Sequence, residues 1–157
     1  EFGVDLLHTP LVIVLGHDSC GAVGAAATAL QTGVMPSGFV RGIVDGVIPS
    51  IIHTPGPQER AAAAAAGPSA EPVMTGVAVD PTTGVLIAPT PKVLGQEHVR
   101  HTVQTLLSYS ASLAEAVAAG RCAVVGLEYD LADGRVHLID SVGALTTEDT
   151  GLEPVAG

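Results

Sequence analysis

The 157-residue chain has no tryptophan, two phenylalanines, two tyrosines and two cysteines. Two cysteines are too few for a disulfide scaffold, so a cysteine that matters here is expected to act through metal or thiolate chemistry in a reducing compartment, and the location is read as cytoplasmic. Basic residues are equally scarce. Six Lys+Arg stand against sixteen Asp+Glu, a net charge of -10 that would repel a phosphate backbone, so nucleic acid is a poor partner. Long hydrophobic runs are missing as well: no stretch of about 18 uncharged apolar residues offers a membrane span. The chain is nonetheless 47% hydrophobic and only 14% charged, too apolar for a disordered polymer. It reads as a soluble globular protein, and its length matches one domain over residues 1–157. An initiator Met and the pattern of a signal peptide are both absent from the opening Glu1-Phe2-Gly3-Val4, so the sequence is expected to begin inside a longer protein, with a leader left open.

What is present is a regular alternation of apolar strands and helices. Leu11-Val12-Ile13-Val14-Leu15, between Pro10 and Gly16, is a continuous apolar run of the kind found in a strand covered on both faces of a parallel sheet, and a central strand is expected. His17-Asp18-Ser19-Cys20-Gly21 then leads into an alanine-rich helix over 22–30 that stops near Gly33. Residues 38–52 carry Val40, Ile43, Val44, Val47, Ile48, Ile51 and Ile52 at helical spacing, with Arg41 and Asp45 four apart and a kink or restart at Pro49. Residues 54–95, rich in Pro and Ala, show no sustained period and read as an irregular insertion, with a short hairpin around 76–79 and 84–87. A long helix is expected over 96–119. Two further strands, 122–127 and 135–139, are joined through Asp133-Gly134 as an antiparallel pair at a sheet edge, and the tail from Thr146 is expected to fray. The fold class is therefore α/β: a mainly parallel sheet with flanking helices and an antiparallel edge strand.

Loops leaving the carboxyl ends of strands build the sites of open α/β sheets, and His17 and Cys20 stand in such a loop. Imidazole and thiolate three residues apart suit zinc, which accepts mixed nitrogen and sulfur ligands, and the dipoles of the helix that follows favour an anionic ligand. Two ligands do not complete a tetrahedral site, so by spacing alone a loop histidine beside a buried cysteine explains the pair as well.

The segment from Leu11 to Val23, with its Gly16-His17-Asp18-Ser19-Cys20-Gly21 core, resembles the zinc-binding segment of β-class carbonic anhydrases. The likeness extends to Glu1-Phe2-Gly3-Val4 and Leu7, to Gly38-Phe39-Val40-Arg41 and Pro49-Ser50-Ile51, to His98-Val99-Arg100 with Thr102-Val103, and to Val124-Val125-Gly126, Tyr129-Asp130-Leu131 and Asp133-Gly134. It covers roughly residues 1–53 and 96–143 and leaves the insertion unmatched. The resemblance implies a Zn2+ cofactor held by two cysteines and one histidine, with His17 and Cys20 as two of the three, and hydration of carbon dioxide to bicarbonate. It also implies a homodimer or a higher homo-oligomer. The family's other cysteine lies in a Cys-x-Asp-Ser-Arg segment whose Asp and Arg form a dyad beside the metal. No such segment occurs in these 157 residues, so the chain resembles an N-terminally incomplete member, and its activity alone is expected to be poor.

Other candidates are weaker. Cys122 opens its strand at the end away from the site, which argues against ligation and against a disulfide with Cys20. His17-Asp18-Ser19 has the residue types of a hydrolase triad, but adjacent residues cannot stack in that order, and Ser19 misses the nucleophile-elbow spacing by one. Cys20 as a covalent nucleophile with His17 as base remains an alternative, as does a non-enzymatic zinc-binding or structural relative. Gly21-Ala22-Val23-Gly24 lacks the full dinucleotide fingerprint. His98 and His101, three apart on a helix, are read as a solvated face; His8, His53 and His137 as surface or packing residues; Asp130 and Asp133 as turn formers.

Overall fold

The apolar run at 11–15 forms strand β1 (Leu11–His17) in a computed structural model that describes residues 1–51, 78–79, 82–83, 86–87 and 89–144. The expectations for residues 54–77, the run Ala61 to Ala66 among them, and for the tail lie outside the described residues. The chain divides into two compact units, residues 1–19 with 98–157 and residues 20–97.

The first unit holds helix α1 (Phe2–Asp5), β1, most of helix α4 (Pro91–Tyr109), helix α5 (Ala111–Ala118) and strands β4 (Ala123–Tyr129) and β5 (Val136–Val142). Its sheet runs in the order β1-β4-β5. Strands β1 and β4 are parallel and in register from Leu11 opposite Ala123 to His17 opposite Tyr129, and β5 returns antiparallel to β4. A parallel neighbour requires a long crossover, and the chain between residues 17 and 123, which includes α4 and α5, supplies it. Val12, Val14, Val124 and Val142 pack with Val103, Leu113 and Ala116 from the helices, so one face of the sheet is covered. Gly16 and Gly126 lie under Val99 of α4, where an added Cβ on either would come within 2.7 Å of a Val99 methyl. The helix therefore approaches the sheet more closely than side chains at these positions would allow.

Among the described strands the central one is β4, not β1 as the continuous apolar run suggested. Ala123 through Glu128 are all buried, whereas β1 alternates and leaves Leu11, Ile13 and Leu15 at 37%, 53% and 60% exposure. Sequence texture cannot make this distinction, because an uninterrupted apolar run records what a strand can bury, while its position in the sheet decides what it does bury. Among the described residues β1 has β4 as its one strand neighbour.

The second unit holds helix α2 (Gly21–Thr32), helix α3 (Phe39–Val47) with a 3-10 turn over Ile48–Ile51, the hairpin strands β2 (Ala78–Val79) and β3 (Leu86–Ile87), and the first residues of α4. Gly33, at φ 71°, closes α2 in the left-handed conformation that suits glycine. Pro49 falls in the 3-10 turn, at the expected restart. The expected hairpin pairs Ala78 with Ile87 and Val79 with Leu86. Val23, Ala26, Ala27 and Ala29 of α2, Val44 and Val47 of α3 and Leu94 of α4 form its core.

Two helix boundaries differ from the sequence reading. The helix expected from residue 96 starts at Pro91, inside the segment read as irregular, because Thr90 Oγ1 accepts from Val93 N at 3.3 Å and proline suits a first helical position. It also ends early: Ser110 leaves helical geometry and its Oγ accepts from Leu113 N at 3.3 Å, so one long helix becomes α4 and α5. In both places a hydroxyl that caps a helix outweighs the apolar periodicity running through it.

Candidate metal centre

His17 is the last residue of β1, and Cys20 is the residue that caps α2, with Asp18 and Ser19 between them. The strand ends there because the chain turns: Ser19 takes φ 56°, a left-handed conformation that side chains disfavour. His17 is exposed and its Nδ1 lies 2.7 Å from the Asp18 carbonyl oxygen. A carbonyl only accepts, so Nδ1 carries the hydrogen of this bond and Nε2 is the ring nitrogen left to bind a metal. That is the tautomer a metal-binding imidazole needs, fixed by an outer hydrogen bond of the kind that orients such ligands.

Cys20 is half-buried against the apolar core of α2 and α3, and its side chain makes no capping hydrogen bond; its carbonyl accepts from Gly24 N at 2.9 Å. The sulfur is thus held in place by packing and is not committed to a backbone partner. Imidazole nitrogen and thiolate sulfur are both donor types that zinc accepts. Among the described residues, no three His, Cys, Asp or Glu side chains gather as a group that could hold a metal.

The other candidates fall where they cannot serve His17. Cys122 precedes β4 and is buried, with Sγ 3.5 Å from the Ala123 carbonyl oxygen; burial pushes its thiol pKa up, with that hydrogen bond opposing. Leu11 pairs with Ala123 and His17 with Tyr129, so the length of the sheet, roughly 20 Å at ~3.3 Å per residue, separates Cys122 from His17. Both cysteines are free thiols. A cleft of about 270 Å³ lined by Val4, Asp5, His8, Thr9, Ala116 and Arg121 also lies at the start of these strands, away from His17.

His98 and His101 are a correction, since His98 does not stand on a solvated face. It is half-buried, and burial first, then the nearby His101 ring, push its pKa below the usual histidine value of 6.5. A depressed histidine pKa means that the unfolded chain takes up the proton first, so stability should fall as pH drops through 6.5 toward the folded-state value. Urea unfolding at a series of pH values is expected to show that loss and to show it diminished in His98→Gln; an unchanged slope in the variant would assign the loss to other groups.

Asp130 and Asp133 do form the turn: Asp130 Oδ1 accepts from Ala132 N at 2.8 Å and Asp133 Oδ1 from Arg135 N at 2.9 Å. The sequence reading missed Asp18. Its Oδ1 accepts from Leu131 N in that same turn at 2.9 Å, and its backbone N–H donates to the Tyr129 carbonyl at 3.0 Å. No local signal marks a partner so distant in sequence.

The sequence model of the carbonic anhydrase family matches residues 1–136. Carbonic anhydrase 2 of Mycobacterium tuberculosis is 36% identical over 148 residues, which are 94% of this chain and 58% of that protein. The carbonic anhydrase of Mycolicibacterium smegmatis is 41% identical over 143 residues, 91% of this chain and 55% of its own length. The chain thus spans about half the length of these relatives. In fold it is similar to the Coccomyxa β-carbonic anhydrase solved with acetazolamide, with a TM-score of 0.54 and 21% identity over 96% of this chain and 55% of that one. The β-carbonic anhydrase CcaA gives 0.52 and 16%, over 93% and 56%. With a family match over most of its length and a fold similar to that of β-carbonic anhydrases, the chain belongs to the carbonic anhydrase family.

Proposed function

We propose that this chain is part of a zinc-dependent carbonate dehydratase, a lyase that interconverts carbon dioxide and bicarbonate, and that His17 and Cys20 are two of its metal ligands. The observation that carries the reading is the 2.7 Å contact between His17 Nδ1 and the Asp18 carbonyl, which engages Nδ1 and leaves Nε2 as the nitrogen available to a metal. When bound, zinc supplies a Lewis acid able to bring the ionisation of water to about pH 7. The chain's own contribution is one neutral nitrogen, one sulfur that becomes anionic on ligation, and the loop that fixes their spacing. We further place the protein in the cytoplasm as a homodimer or higher homo-oligomer. Among the described residues, no helix is long and apolar enough to cross a membrane.

With two ligands from this chain, the other zinc positions are left to water or stray groups, so weak binding and poor turnover are expected of the 157 residues alone. Stopped-flow hydration of carbon dioxide tests this, comparing the zinc-loaded chain, its Cys20→Ser variant, and the chain preceded by a segment with the family's Cys-x-Asp-Ser-Arg motif. Turnover by the extended protein that is lost on Cys20→Ser supports the proposal. Full turnover by the 157-residue chain would mean a complete ligand set within it and overturn the two-ligand assignment. Zinc binding through His17 and Cys20 with no hydration even when extended would favour a non-enzymatic metal-binding relative, a reading consistent with the missing third ligand among the described residues.

A further inference from the structure

The residue between the two candidate ligands that the sequence reading set aside has the most deliberate set of contacts in the loop. Asp18 is half-buried, and three bonds converge on it. Its backbone N–H extends the β1–β4 ladder by donating to Tyr129, its Oδ1 accepts the Leu131 N–H, and its own carbonyl accepts from His17 Nδ1. Ser19 Oγ approaches the other carboxylate oxygen at 3.4 Å, from a residue at φ 56°.

Each contact has a separate consequence. The bond to Tyr129 fixes the Asp18 peptide at its amino side. The bond to Leu131 anchors its side chain to the β4–β5 turn, which is itself held by Asp130, whose carboxylate accepts from Ala132 and whose N–H donates to Arg135 O at 2.8 Å. With both ends held, the Asp18 carbonyl has a defined direction, and His17 Nδ1 is bonded to that carbonyl. The left-handed conformation of Ser19 that follows is unfavourable for a residue with a Cβ, so without an anchor the loop would relax to a more ordinary one.

We propose that Asp18 is a positioning residue: through its tie to Leu131 N–H it holds the carbonyl that selects the Nδ1–H tautomer of His17 and aims Nε2 at the metal position. The proposal rests on the reading of His17 as a zinc ligand. It requires of the Asp18 side chain only an acceptor oxygen, not a charge, because its partner is a neutral peptide N–H. Asparagine keeps that acceptor and alanine removes it.

The test uses the full chain with Asp18→Ala and Asp18→Asn and two readouts. In metal-free protein, nitrogen-detected NMR of the His17 ring is expected to show the Nδ1–H tautomer in the parent and in Asp18→Asn, and a mixture of tautomers in Asp18→Ala. In zinc competition against a chromogenic chelator, Asp18→Ala is expected to bind about 10–100-fold more weakly, the usual effect of losing an outer partner of a metal ligand, and Asp18→Asn close to the parent. An unchanged tautomer in Asp18→Ala would overturn the proposal whatever the metal does. A loss in Asp18→Asn equal to that in Asp18→Ala would also overturn it, by showing that charge is what matters. The altered tautomer together with no zinc binding by the parent would leave the positioning role standing and refute instead the ligand role of His17.

Discussion

Exchanging Cys20 for serine is expected to weaken zinc binding by the 157-residue chain beyond the roughly 10–100-fold that loss of an outer-sphere partner costs. Serine keeps the size and the position at the cap of α2 but replaces a soft donor that ionises readily with a hydroxyl that does not, so the metal loses both an anionic charge and a covalent contribution. His17→Ala should act in the same direction. The informative control is Cys122→Ser. That thiol is buried at the opposite end of β4, and burial already disfavours its ionised form, so its loss should leave zinc affinity unchanged. Chelator competition on the variants decides the matter: equal affinities for Cys20→Ser and the parent would remove Cys20 from the ligand set, and a loss in Cys122→Ser would mean that the distance argument is wrong.

The largest effect on stability is expected from Leu94→Ala, at about 2–5 kcal/mol in urea unfolding. Leu94 is fully buried, and its neighbours in the core include Ala26, Ala27 and Ala29 of α2. Alanines have no side-chain freedom with which to reach into a vacated volume, so the cavity should persist and the loss should lie toward the upper part of that range. Leu15→Ala provides the contrast. Leu15 is 60% exposed on β1, and its truncation should change stability within about 0.5 kcal/mol, as surface substitutions usually do. Similar losses from the two variants would show that the exposed face of β1 is covered in solution.

Leu94 also shows where sequence reasoning stopped. Its helix begins at Pro91, a residue that in a Pro-rich neighbourhood reads as one more breaker, although Thr90 before it is a good capping residue. Periodicity located β1, β4 and β5, because those runs are short, apolar and bounded by turns. It could not place β1 at the edge, since the identity of a strand's neighbours is a property of the whole sheet. At the candidate site, spacing alone did not single out His17 and Cys20, since a loop histidine beside a buried cysteine explains the pair as well; the family resemblance of the segment around them did. Asp18 was not, because its value depends on a peptide N–H in a turn 113 residues away in sequence.

The contact of Val99 with Gly16 and Gly126 has a consequence for how this sequence can vary. With an added Cβ at either glycine lying 2.7 Å from a Val99 methyl, the three positions share one volume, and the loop that carries His17 starts directly after one of them. An alanine at 16 is a poor change beside valine and a tolerable one beside alanine at 99, since its next neighbour, the Leu127 carbonyl, lies at an ordinary 3.7 Å, so the cost of each substitution depends on which was made first. Drift through this part of the molecule is therefore a path with an order: the helix must yield its methyls before the sheet can acquire any, and the reverse order passes through a protein that has pushed the helix away from the strand bearing its histidine.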